Sequence, residues 1–173
     1  TTFLVHAAIG GSMKPSDFGV NGGWYGIRST SALINKFLVG DQRAMFHSDG
    51  QSLEIESIPN FGDGYAVTKF KNVDSNGDAG SDTGGNYVDT DLALIRLAEI
   101  YLNYAEAILR GGAGDLNLAT SKINELRARA FGNTSGNITS GDLDLDFILD
   151  ERSRELYWEG QRRTDLVRYN YFT

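Results

Sequence analysis

Apolar residues in the second half of the chain recur at helical spacing. Between Asp91 and Arg110 they include Leu94, Leu97, Ala98, Tyr101, Leu102 and Ala105, and they cover nearly the whole circumference of a helix. A helix apolar on most faces is one buried between neighbours. A helix over 91–110, capped by Thr90 or Asp91, is therefore expected to be the most buried element. Gly111-Gly-Ala-Gly-Asp115 breaks it, and Asp115 caps a second helix over 116–131. There Ala119, Ile123, Leu126 and Ala130 follow at steps of four, three and four, and Gly132 suits the C′ position. A third helix over 142–160 starts near Ser140 or Asp142, with Asp142, Asp144 and Asp146 favourable at its positive end. The three are expected to pack as antiparallel neighbours.

The first half has a different pattern. Phe3–Ile9 and Tyr65–Phe70 read as strands. Ser29–Leu38 places Leu33, Ile34, Phe37 and Leu38 at spacings that suit a short helix capped by Ser29 or Thr30. Stretches 10–26 and 74–86 are glycine-rich surface loops. Residues 1–89 hold 14 of the 21 glycines and both prolines. The chain thus divides into a loop-rich segment with short strands, 1–89, and a helical region, 90–173. No Pro/Ser linker separates them, so one packed unit is expected. The opening in a strand-like run and the ending on Tyr171-Phe-Thr173 read as those of a piece of a longer protein.

The third helix carries an irregularity. Its inner stripe runs Leu145, Leu149, Arg152, Leu156, Glu159. Charges in a packed stripe need partners, because an unpaired buried charge costs several kcal/mol. Glu155, Arg162 and Asp165 lie nearby, and Arg96, Glu99 and Glu106 lie on the first long helix. The expectation is a buried ion network built on Arg152, Glu155, Glu159, Arg162 and Asp165. The alternative is a solvated face with pairs three and four residues apart.

Charge and composition exclude several functions. With 16 basic and 23 acidic residues the chain carries a formal charge of −7. That argues against nucleic acid and against anionic lipid. Cysteine is absent, and only His6 and His47 exist. Thiol chemistry and cysteine metal sites are thus ruled out, and any Ser-His-Asp triad must use one of two histidines. Nothing singles out one carboxylate pair for acid–base catalysis, no nucleotide fingerprint is present, and no cofactor is expected. Asp74-Ser-Asn-Gly-Asp-Ala-Gly-Ser-Asp82 resembles the start of a calcium loop. It departs from that pattern at Ala79 and Gly85, where glycine and glutamate are required. Asp74, Asn76, Asp78 and Asp82 are a weak calcium candidate, and an acidic loop is the better reading.

Three ordered motifs resemble one family. Ile95-Arg-Leu-Ala-Glu-Ile-Tyr-Leu-Asn-Tyr-Ala-Glu-Ala107 is similar to the signature helix of SusD/RagB-type outer-membrane lipoproteins. Ile123-Asn-Glu-Leu-Arg-Ala-Arg-Ala130 and the run from Ile148 through Glu151-Arg152, Glu155-Leu156, Glu159-Gly160 and Asp165-Leu166 to Arg168 match its next two motifs. Gly23-Trp-Tyr-Gly-Ile-Arg28 and Gly40-Asp-Gln-Arg43 resemble it more loosely. The resemblance implies a mainly α, TPR-like α-α superhelical scaffold with a loop-rich, short-strand N-terminal part. It further implies a non-enzymatic protein on the outer face of the cell outer membrane. Its precursor would carry a signal peptide and a lipid anchor. It would capture a glycan and pass it to a SusC-type TonB-dependent transporter. A peptide-capturing member of the family, or a helical scaffold binding only a protein partner, is the alternative.

Sugar rings are apolar on their faces and polar at their rims, which suits an exposed aromatic beside a hydrogen-bonding group. Trp24 and Tyr25 lie in a glycine-rich loop flanked by Asn21 and Arg28. These four are the candidate ligand-binding residues. The alternative role for Trp24 is to fill a seam between loop region and helices. Trp158 reads as packing.

Overall fold

The structure is a computed structural model and describes residues 1–172. Thr173, the end of the aromatic terminus noted above, lies outside them. The chain forms two compact units, Thr1–Asn35 with Met45–Leu92, and Lys36–Ala44 with Ala93–Thr173. Regular structure is mainly helical, with a few short strands that all precede residue 90. Among the described residues no helix is long and apolar enough to cross a membrane.

The first unit begins with α1, Thr2–His6. This corrects the strand expected over Phe3–Ile9. A short apolar run has no periodicity that separates a strand from a buried helical turn. Here Val5, Ala7, Ala8 and Ile9 are all buried. Val5 and Ile9 pack with Met13, Phe18, Val20, Phe61 and Ala66 as the core of this unit. The strands are β1 (Arg28–Ser29), β2 (Phe46–His47) and β3 (Tyr65–Val67). β3 lies between the other two, and both pairings are antiparallel. The helix expected over 29–38 shrinks to α2, Ser31–Ile34, behind Thr30 as N-cap. Phe37 and Leu38 belong to the other unit.

The second unit is built on α3 (Leu97–Leu109), α4 (Leu116–Phe131), α5 (Leu145–Leu156) and α6 (Arg162–Arg168). α3 packs on both α4 and α5. Asp115 caps α4, accepting from the Asn117 amide at 2.8 Å, and Gly132 ends it at φ 68°. Asp144 caps α5, accepting from the Phe147 amide at 2.7 Å. Ala98, Leu102, Ala105, Ala119, Ile123 and Ile148 are central to the core.

Two expectations about α3 are corrected. It starts at Leu97 rather than at 91, and neither Thr90 nor Asp91 caps it. Arg96 stands at its N-cap position in an extended conformation without a side-chain cap, its guanidinium donating to Glu159 and Glu155 instead. Nor is α3 the most buried helix. Leu94, Ile95, Leu97 and Ile100 are exposed, Leu97 by 64%. Helices cover α3 on one side only, and apolarity around a helix does not create neighbours for every face. The most enclosed helix is α5, where every residue from Ile148 to Leu156 except Asp150 is buried.

Candidate functional site

The glycine-rich segment around Trp24 is built by the end of α1. A helix leaves its last carbonyls without intrahelical partners. Here the amides of Trp24, Tyr25 and Gly26 donate to the carbonyls of His6, Ile9 and Ala7 at 2.8, 3.1 and 3.0 Å. This ladder holds the segment flat against the helix end. Gly23 is required by the approach, since a Cβ there would sit 2.3 Å from the Ile9 oxygen. The tether leaves the two aromatic side chains outside. Trp24 is 54% and Tyr25 57% exposed. Tyr25 adopts φ 56°, a conformation that bulky L-residues rarely take, and its neighbours' backbone bonds hold it there.

The two rings turn to different supports. Trp24 stacks on His6, with centroids 5.1 Å apart and planes 18° from parallel, and Phe3 leans on it at 6.2 Å. His6 is itself buried, and its Nδ1 meets the Gly22 carbonyl at 2.8 Å. Tyr25 instead meets Phe61 edge-on at 5.3 Å. Arg28 lies 5.5 Å over the Phe61 ring while its guanidinium donates to the carbonyls of Asn60 and Ile58. Asn21 is drawn elsewhere: its amide donates to the Gly84 carbonyl and Asn86 Oδ1.

Tyr25 and Phe61 wall a hollow of about 210 Å3 whose rim carries Ser12, His47 and Asp49. Ser12 Oγ donates to Asp49 Oδ2 at 2.8 Å and lies 3.0 Å from His47 Nε2. A hydroxyl that gives its proton to a carboxylate accepts from the ring nitrogen, so Nε2 carries the hydrogen. That is the reverse of the arrangement in which histidine takes a proton from a nucleophilic serine. The sheet sets the register. Arg28 and His47 both stand opposite Ala66, on either side of β3, and cross-strand partners share a face.

The weak calcium candidates do not converge. Asp74 Oδ1 accepts from the amides of Asn76 and Asp78. Asp82 accepts from the amides of Gly84, Asn86 and Tyr87. Each carboxylate closes its own turn. The backbone bonds hold Asp74 below the usual carboxylate range, Asp78's amide foremost, and hold Asp82 there likewise, Tyr87's amide foremost. Among the described residues no cluster of three His, Asp or Glu is arranged to hold a metal.

In the second unit the α5 charges Glu151, Arg152, Arg154 and Glu155 are buried and paired. Arg152 Nε lies 2.9 Å from Asp165 Oδ1, off the hydrogen-bond direction, and Nη1 donates to Asn103 at 2.6 Å. Glu159 takes a two-pronged contact from Arg96 at 2.7 and 2.9 Å. Glu155 accepts from Arg96, Arg129 and Arg43. Arg162 donates to the Leu149 carbonyl at 3.1 Å. The centre, however, is Glu151, fully buried between Arg43, Arg127 and Arg154, each at 2.7 Å. Arg43 also grips Asp41 at 2.7 Å. Burial pulls Glu151 upward, but the charges of Arg43, Arg154 and Arg127 outweigh it and hold the carboxyl below the ordinary range.

These motifs have counterparts in known proteins. The model of the SusD family matches residues 56–173. The chain belongs to the SusD family. It is 42% identical over 138 residues to the starch-binding protein SusD of Bacteroides thetaiotaomicron, a match covering 78% of the chain and 23% of that protein. It also matches the crystal structure of a SusD superfamily protein from Bacteroides vulgatus, with TM-score 0.61 and 25% identity over 92% of the chain and 34% of the other. The chain thus spans about a quarter to a third of the relatives it matches.

In this SusD-family chain, sequence reasoning missed Glu151, Arg127 and Arg154 as network residues, and Ser12, His47, Asp49 and Phe61 as neighbours of Tyr25. A single inner stripe on α5 hides Glu151, because α5 is enclosed on nearly all sides. The available signal was the density of charge in 148–156 beside an otherwise apolar pattern. Nothing local links Ser12 to residues 35 and 37 positions away.

Proposed function

We propose that this chain is the glycan-capturing part of a non-enzymatic cell-surface protein. The protein sits on the outer face of the outer membrane through a lipid anchor. It takes up an oligo- or polysaccharide and passes it to a SusC-type TonB-dependent transporter. The observation that carries the reading is the pair of half-exposed rings, Trp24 and Tyr25, held out from the end of α1 by a backbone ladder. A preordered ring loses little freedom on binding and stacks on the apolar face of a sugar. Similarity to a relative named for binding starch supports the ligand class.

The test is calorimetric titration of the protein with maltohexaose, cellohexaose, mannohexaose, xylohexaose and a peptide mixture. Binding of at least one glycan is expected. Trp24→Ala is expected to weaken it by about tenfold or more, the loss of one well-packed stacking contact. Unchanged affinity in that variant removes Trp24 from the site. Peptide binding without glycan binding replaces the reading with peptide capture.

A further inference from the structure

We infer that the hollow beside Tyr25 is a subsite for one uncharged sugar ring, and that Asp49 makes it reject anionic sugars. The inference rests on the glycan-binding reading and adds the class of sugar. At about 210 Å3 the hollow is smaller than the roughly 300–1,000 Å3 of pockets that enclose drug-sized ligands. It suits one ring of a longer chain. Its walls carry the Tyr25 and Phe61 rings, set edge-on, beside Gln51 and Asn60, whose side chains are already bonded within the protein. Its rim is a hydrogen-bonded row, His47 to Ser12 to Asp49. A pyranose has this same division between ring faces and hydroxyl edge.

The row is only partly used by the protein. Ser12 occupies one oxygen of Asp49 and one nitrogen of His47. Among the described residues no other group bonds Asp49 Oδ1 or His47 Nδ1. A sugar hydroxyl donating to Asp49 makes a charge-assisted bond, about twice as strong as a neutral one. Ser12 also fixes the carboxylate's direction before the ligand arrives.

Charge decides the class. Asp49 is the carboxylate on the rim, and no lysine or arginine lines the hollow. Arg28, which lies over the Phe61 ring, is committed to the Asn60 and Ile58 carbonyls. A uronic acid or sulfated ring brings a second negative charge against Asp49, on a chain already carrying −7. Like charges at close range are a device for excluding a competitor. Gly10 keeps the space open, because a Cβ there would stand 2.7 Å from atoms of both Tyr25 and Phe61.

The experiment titrates the protein, Asp49→Asn, Gly10→Ala and Trp24→Ala with the neutral hexasaccharides above and with hexagalacturonate. Each variant's fold is checked by circular dichroism, and the titrations are run at low and moderate salt. The wild-type protein is expected to prefer its best neutral ligand by about tenfold or more over hexagalacturonate. The gap should narrow with salt, as charge repulsion at an exposed site is screened. Asp49→Asn is expected to weaken neutral binding several-fold and to reduce the gap to about threefold or less. Gly10→Ala, if folded, should weaken neutral binding to a similar degree. A preference that Asp49→Asn leaves intact overturns the inference, as does equal wild-type binding of both sugars. If Trp24→Ala alone loses affinity, the subsite falls and the glycan-binding reading stands. If no glycan binds, both fall.

Discussion

Glu151 shows how one side chain can tie several segments together. It is fully buried, and its carboxylate is shared by Arg43, Arg127 and Arg154. Removing one member of a buried charge cluster leaves the others unpaired, which costs on the order of 3–5 kcal/mol. Glu151→Gln should therefore lower the unfolding free energy by about that much in urea. Arg152→Ala should cost less, because Asp165 keeps its contact with Arg168 at 2.9 Å. The reverse order, or a Glu151→Gln loss below about 1 kcal/mol, would move the weight of the network away from Glu151.

At the scale of elements, α3 and α5 are a contrasting pair. α3 is apolar around most of its circumference and buried on one side only, whereas α5 carries several charges and is buried almost throughout. Enclosure follows from which neighbours a helix has: α3 packs on α4 and α5, with Ala98, Leu102 and Ala105 buried and Leu97, Ile100 and Ala107 exposed. Two substitutions read this directly. Leu102→Ala, at a fully buried position, should cost about 2–5 kcal/mol through lost packing and a cavity. Leu97→Glu, on the open side, should change stability by no more than about 0.5 kcal/mol. Thermal or urea unfolding of the two variants distinguishes them, and a large loss for Leu97→Glu would mean that this face is covered in solution. Of the predicted elements, the helix over 116–131 and its Asp115 and Gly132 ends were legible because cap, periodicity and stop signal agree. Phe3–Ile9 was not, since its burial and not its pattern decides its conformation.

For the whole molecule, the paired carboxylates set the response to acid. Burial raises Glu106, but its bonds to Arg168 and Arg110 outweigh this and bring it down to about 2, against an ordinary value of 4.5. Glu151 and Glu155 are likewise lowered. A carboxyl depressed on folding adds stability that is complete above its unfolded value. That stability is lost as pH falls through its folded value. Stability should thus hold down to about pH 5 and then decline between about pH 4.5 and 2. Urea midpoints measured across that range check it, and a midpoint unchanged at about pH 2.5 would show that the network does not couple to folding.

The local sequence determined the helical second half, the Asp115 cap and Gly132 end of its second helix, the presence of unusual charges on the third helix and the placing of Trp24-Tyr25 in a glycine-rich segment, whose exposure it left open. Each of these depends on residues within a few positions of one another, and their spacing carries the information. The motifs of 95–168 also identified the family, because its signature is a set of local runs. Only the tertiary structure decided which charges meet. Arg43 reaches Glu151 across 108 residues, and Ser12 reaches His47 across 35. It also decided that Tyr25 shares a hollow with Phe61 while Asn21 bonds a different loop. Contacts between distant segments depend on the path of the backbone, and that path follows from the burial of every segment at once.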